Sequence, residues 1–268
     1  MYGHHYTKQT VSNITAAVVG DIQAFNRREL SKRYAVIYLD ATYLPVRRDT
    51  VTKEALYFAL GITPEGYKEI LSYSLFPTES AHNWEIILSD LRVRGVEESL
   101  LFVTDGLTGI KDAISNVFPK ARHQSCWVHL ARNVSHGVRV KDRTEVLSDL
   151  KSVYTQESVA AAEEKLATFI QTWDKRYPKV TDKFKDNSSL FTFLSFPKEI
   201  RASIYTTNLI EGFNKHLKRY TKRKEQFPNE DSLIRFIGTY AGNYNQRFQM
   251  RIHKGFKLVT AELNEMFN

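Results

Sequence analysis

The spacing of apolar positions changes several times along the chain and divides it into strands and helices. The run YAVIYLDATY, residues 34–43, is apolar at nearly every position and predicts a buried opening strand. EALYFALGI (54–62) and YKEILSYSLF (67–76) read as two more strands. Thr63-Pro64-Glu65-Gly66 lies between them, with proline second and glycine fourth in the turn. That is hairpin chemistry, so the first three strands form an antiparallel meander. From residue 78 the period becomes helical, with Trp84, Ile87, Leu88 and Leu91 on one face and Gly95 as the stop.

SLLFVT (99–104) is a short apolar strand that ends at Asp105-Gly106. LTGIKDAISNVF then reads as a helix stopping before Pro119. ARHQSCW (121–127) suggests a fifth strand, and residues from about 128 to 186 are helical and charged. Further helices are predicted for NLIEGFNKHLKRYTKRK and for roughly 230–248, and before the first strand a helix over 6–24, with Thr7 as cap and Val11, Ile14 and Val18 on one face. The order implies an α/β fold: a mixed sheet with helices on both faces, in which the fourth strand lies beside the first. Asp40 and Asp105 then stand at neighbouring strand ends, where open α/β sheets place ligands.

Composition narrows the partners. Hydrophobic residues make up 42% of the 268, enough for a real core, and the net charge is +8. Residues 201–268 hold twelve Lys/Arg against six Asp/Glu, so the positive charge is concentrated there. This favours a polyanionic partner, nucleic acid above all. One cysteine, Cys126, excludes an internal disulfide framework and fits a reducing compartment. No apolar run approaches a membrane span, and the N-terminus lacks the apolar region of a signal peptide. A soluble intracellular protein is expected.

Two carboxylates at adjacent strand ends repel each other unless a cation sits between them or one is protonated. Hard cations such as Mg²⁺ take carboxylate oxygens. A third acid, Glu211, would complete a two-metal site for phosphodiester chemistry. From Glu211, Lys215, Lys218 and Lys222 follow at +4, +7 and +11 on one helix face, and Arg219 and Arg223 widen the row. The pattern alone also fits an ion-paired Asp40, a turn residue at Asp105 and a solvated helix charge at Glu211.

Four segments taken together carry a resemblance: YLDATY around Asp40, FVTDGLTGIKDAI around Asp105, CWVHLARN at 126–133, and TTNLIEGFNKHLKR around Glu211. Their order and spacing, 65 residues from Asp40 to Asp105 and 106 more to Glu211, resemble the Mutator-type transposases of bacterial insertion sequences, a DDE class, over nearly all of residues 30–250. The resemblance implies a ribonuclease-H-like mixed sheet with an all-α insertion between the second Asp and the Glu. It implies strand cleavage and strand transfer at element ends with two Mg²⁺, Mn²⁺ being able to substitute, held by Asp40, Asp105 and Glu211. The implied partners are double-stranded DNA at element ends and target, and a second copy of the chain or a larger assembly, in a cytoplasmic, nucleoid-associated setting.

Cys126 and His129 match the family's Cys-x-x-His element. They are either a buried thiol with a hydrogen-bonded histidine, or they bring His129 to the scissile phosphate or a metal-bound water. A tetrahedral zinc site would need ligands from elsewhere. Asn208 and Asn214 flank Glu211 at −3 and +3 and are placed to orient its carboxylate or touch DNA, with helix capping by Thr206 or Thr207 competing for the local role. Trp173 is a candidate for stacking on an unpaired base or for the core.

The domain reading is a helical DNA-binding remnant over 1–30, the first catalytic part over 31–140, a helical insertion over 141–203, and the Glu helix with basic C-terminal helices over 204–268. The first segment resembles one helix of a helix-turn-helix without its partner. An N-terminally truncated, non-catalytic DNA-binding remnant or regulator is therefore the alternative function, and a nuclease that hydrolyses without joining is a third.

Overall fold

Strand β1, Arg33–Arg47, is the centre of a five-stranded sheet. Strands β2, Val51–Ile62, and β3, Lys68–Phe76, flank it on one side as an antiparallel meander. On the other side β4, Glu98–Thr104, and β5, Arg122–Ser125, run parallel to it, so the order across the sheet is β3-β2-β1-β4-β5. The computed structural model describes residues 7–47, 50–106, 109–185, 187–222 and 226–268, with the side chains at 8, 11, 12, 14 and 15 also outside the description. The turn joining β2 to β3 is the expected one: the Gly66 amide donates to the Thr63 carbonyl at 2.9 Å, and Gly66 takes φ 94°, which a side chain would resist.

Two helices cover one face of the sheet. Helix α2, Ala81–Val93, starts at Ser80, whose hydroxyl accepts from the Asn83 amide, and buries Trp84, Ile87, Leu88 and Leu91, the residues its period singled out. Helix α3, Ile110–Val117, adds Ile110, Ala113 and Ile114. Between them they close a core over Ile37, Leu39, Phe102 and Phe118.

The opposite face carries the rest. Between β5 and the Glu211 helix come α4 (Trp127–Gly137), α5 (Arg143–Tyr154), α6 (Val159–Trp173), α7 (Pro178–Thr181) and α8 (Lys198–Ile204). Trp127 is fully buried and donates its indole N–H to the Leu190 carbonyl at 2.7 Å. Helices α9 (Asn208–Thr221) and α10 (Glu230–Phe248) follow, and α11 (Thr260–Glu265) ends the chain's regular structure. Their apolar residues join one core with Val36, Tyr38, Leu101 and Val103. No helix of the described residues is long and apolar enough to cross a membrane.

Helix α1, Lys8–Arg27, is capped by Thr7, whose hydroxyl accepts from the Thr10 amide at 3.1 Å. Its later half packs on α10, where a Cβ on Gly238 would come within 2.7 Å of Ile22. Beyond its end, Arg28 pairs with Glu69 of β3 at 2.9 Å. Val18 is half-buried on the expected apolar face; the side chains of Val11 and Ile14 lie outside the described residues.

Candidate active site

The β1–β4 register ends with Tyr38 opposite Val103. Two residues further along each strand stands an acid, Asp40 and Asp105. Strand side chains alternate faces, so both acids project on the side of Tyr38 and Val103, under α9. Asp40 is buried, yet Oδ2 has one strong partner, the Asn214 side-chain amide at 2.7 Å. Asp105 stands where β4 stops, followed by Gly106 at φ 93°. Its Oδ1 is buried with no hydrogen-bond partner among the described residues.

Helix α9 is amphipathic in the spacing its sequence announces. Ile210, Phe213 and Leu217 are buried, and the Phe213 ring meets Phe58 edge-on at 4.9 Å. Phe58 is the direct β2 partner of Asp40. That aromatic contact fixes the helix over the acid and brings Asn214 and Glu211 to it. The cleft so formed has a volume of about 490 Å³ and is lined by Asp40, Asp105, His129, Glu211 and Asn214, with Lys215, Lys218, Arg219 and Lys222 along its wall. Arg223 lies outside the described residues.

Burial pushes the Asp40 carboxyl up to about 7; the Asp105 charge adds to the rise, and the Asn214 bond opposes it. Burial also raises Asp105, against the pull of His129. Two buried acids, one with an oxygen that has no partner among the described residues, are a donor set that fits a hard divalent cation.

Glu211 is turned the other way. Its Oε2 accepts from Arg132 at 2.8 Å and its Oε1 from the Thr207 hydroxyl at 3.1 Å, with His129 Nδ1 at 3.6 Å. Ligand atoms of Cys126, His129 and Glu211 lie within 4.8 Å of one another. The Cys126 sulfur accepts from the Thr207 amide at 3.2 Å and also lies 3.2 Å from the Thr207 hydroxyl, whose single proton it shares with Glu211. Burial pushes its thiol up, but hydrogen bonds with His129 and Thr207 outweigh that and lower it. His129 is raised, first by its bond to Cys126 and then by the nearby negative charges, against burial. Cys126 is thus buried and bonded to Thr207, and His129 beside it lines the cleft.

Arg132 was not singled out by sequence, and Thr207 only as a helix cap; it stands at the N-cap position, but its hydroxyl turns to Glu211 instead of a backbone amide. Arg132 sits three residues after His129, on the same side of α4, which was the available signal. Asn208 is exposed at the first turn of α9 and does not line the cleft. Trp173 requires a correction. Only 4% exposed, its indole N–H donates to Asp149 at 2.9 Å and its ring packs near Tyr177, so it offers no face to a nucleobase.

The family model described as Transposase, Mutator family, matches residues 1–251. The transposase for insertion sequence element IS905 of Lactococcus lactis subsp. lactis (strain IL1403) is 42% identical over 268 residues, covering all of this chain and 68% of that protein. The transposase for IS1201 of Lactobacillus helveticus is 43% identical over 245 residues, 91% of this chain and 66% of the relative. The chain thus spans about two thirds of the length of these relatives. Among solved structures, the Drosophila P element transposase strand transfer complex aligns at TM-score 0.36 and 16% identity, over 98% of this chain and 78% of the other.

Proposed function

The chain belongs to the Mutator family of transposases, and from that premise we propose that it carries out DDE-type strand cleavage and strand transfer at the ends of an insertion sequence. One observation supports this most: Asp40 and Asp105, level on adjacent parallel strands, face a helix that brings Glu211 and a row of cations to the same cleft. The order of the sheet and the helical stretch from α4 to α8 support reading the domain as ribonuclease-H-like with an all-α insertion.

In this reading Asp40, Asp105 and Glu211 are the metal ligands. A pair of Mg²⁺ ions held there would activate the attacking water or 3′-hydroxyl and stabilise the leaving oxygen, so no covalent enzyme intermediate is needed. Asn214 holds the Asp40 carboxylate by its Oδ2 where Asp40 lines the cleft. Arg132 and Thr207 hold Glu211 before it joins the two aspartates. Lys215, Lys218, Arg219 and Lys222 take the phosphates of duplex DNA along α9. His129, raised in pKa and open to the cleft, is placed to donate to the scissile phosphate. Synapsis of two element ends calls for at least two copies.

The test is cleavage and joining of DNA that carries the element ends, with Mg²⁺ or Mn²⁺. Wild-type protein cuts and joins, and Asp105→Asn binds the same DNA without cutting. Wild-type protein that binds but never cuts sinks the proposal in favour of a binding-only remnant. Cutting without joined products reduces it to a nuclease.

A further inference from the structure

The flank of α9 turned away from the metal cleft forms a second groove with α10 and with Val18 of α1, about 830 Å³ in volume. Its walls combine two kinds of side chain. The rings of Phe213, Tyr220, Tyr240, Tyr244 and Phe248 form a continuous series: Tyr220 to Tyr240 at 5.7 Å, Tyr240 to Phe213 at 5.1 Å, Phe213 to Tyr244 edge-on at 5.1 Å, and Tyr244 to Phe248 at 4.5 Å. His216, Arg235 and Arg247 bring basic groups to the same space, and no carboxylate lines it among the described residues. Tyr220 is 62% exposed, so much of its ring stands open to solvent at the end of the aromatic series.

Charge and ring content together select the occupant. An apolar helix would cover the rings and leave the cations unpaired. A duplex hides its base faces in the stack and has nothing to offer the aromatic series. Unpaired nucleotides satisfy both at once, bases on rings and phosphates on cations. The volume suits about one or two nucleotides. Position agrees: Lys215 lines the metal cleft and His216 the groove, so the two are separated by the width of one helix, about 10 Å.

We propose that the groove between α9 and α10 binds unpaired nucleotides of the DNA strand whose duplex portion lies on the lysine row. This rests on the DNA reading of the cleft but makes its own demand, a preference for single strands. Gly212 gives a way to block the site without removing a wall: a Cβ there meets nothing within 4 Å.

The experiment is fluorescence anisotropy with a short oligothymidylate and with a duplex of equal length, on wild type, on Tyr220→Ala with Arg235→Ala, and on Gly212→Leu. Circular dichroism checks that each variant is folded. Both variants lose about tenfold or more in affinity for the oligothymidylate, and their duplex affinity stays within about twofold. Photo-crosslinks from 5-iodouracil map to Tyr220 or Tyr240. Unchanged affinity for both DNAs, or equal loss for both, overturns the proposal. The two readings fail separately. Wild-type protein that shows the single-strand effect but never cuts sinks the catalytic reading and keeps the groove. Wild-type protein that cuts, with groove variants binding as it does, sinks the groove alone.

Discussion

The side-chain amide of Asn214 donates to the carboxylate of Asp40 at 2.7 Å, joining residues 174 apart in the chain. The bond is set by its neighbours, since Phe213 packs against Phe58 and Phe58 stands opposite Asp40 in the sheet. Sheet and helix are thereby locked together at the acid itself.

Removing the amide should therefore loosen chemistry more than binding. Asn214→Ala leaves a buried carboxylate with no donor, a loss of about 1.5–3 kcal/mol for a bond to a charged group. The Mg²⁺ concentration for half-maximal cleavage rises roughly tenfold or more, and DNA affinity changes little. Metal titrations of cleavage rate check this; an unchanged metal requirement would show that Asn214 serves packing only.

Asp40 makes the metal-free fold pH-dependent. Its folded carboxyl is raised from 3.8 to about 7. Between these values the unfolded chain has lost its proton and the folded chain keeps it, so stability is full below about pH 4, falls as pH rises, and levels off above 7. The upper bound on the loss is about 4 kcal/mol, at 1.36 kcal/mol per pH unit. Asp40→Asn flattens this slope and raises the melting temperature of the metal-free protein at pH 8. Urea unfolding at pH 5 and pH 8, with a chelator present, measures both.

Arg132 competes with any cation for Glu211 through its 2.8 Å pairing. Arg132→Ala releases the carboxylate, so Mg²⁺ binds more tightly, by up to about fivefold, the range expected of a half-exposed ion pair. Calorimetric titration of Mg²⁺ into the two proteins decides it, and weaker binding in the variant would make Arg132 a support for the site rather than a competitor.

Salt dependence reports on the lysine row. Log affinity for duplex DNA falls against log salt with a slope of about −0.9 per phosphate contact. Replacing Lys215 and Lys218 by alanine makes the slope shallower by up to about two such units; a slope equal to that of wild type would take both residues off the DNA path.

Much of this arrangement was legible in the sequence, because it follows from local period. The strands, the hairpin, the buried stripe of α2 and the face shared by Glu211 and the lysines are all short-range patterns. What was not legible depends on distant partners. β1 was expected to end at Tyr43 but runs to Arg47, since Pro45 interrupts the apolar run; there β4 has already ended and the Phe227 segment takes its side, bonding the Pro45 carbonyl and the Arg47 amide, so the proline's missing N–H breaks no bond to β2. Asn208 and Asn214 are equally spaced from Glu211, and only the docking of Phe213 onto Phe58 decides which one reaches an acid. Trp173 is equally ambiguous from spacing, and Asp149, 24 residues earlier, settles it in the core.

The aspartates sit on a meander and the next strand, elements contained in the first 105 residues. The third acid and the cations arrive only when α9 folds back across the sheet from the far side of five helices. Such long-range closure comes late, and synthesis from the N-terminus makes it later still. A chain still emerging from the ribosome, or one ended early, thus has a sheet with two mutually repelling acids and no wall opposite them. On the proposed reading, cutting activity is reserved for the finished polypeptide, and the coding DNA beside the translation machinery is spared an enzyme that is half made.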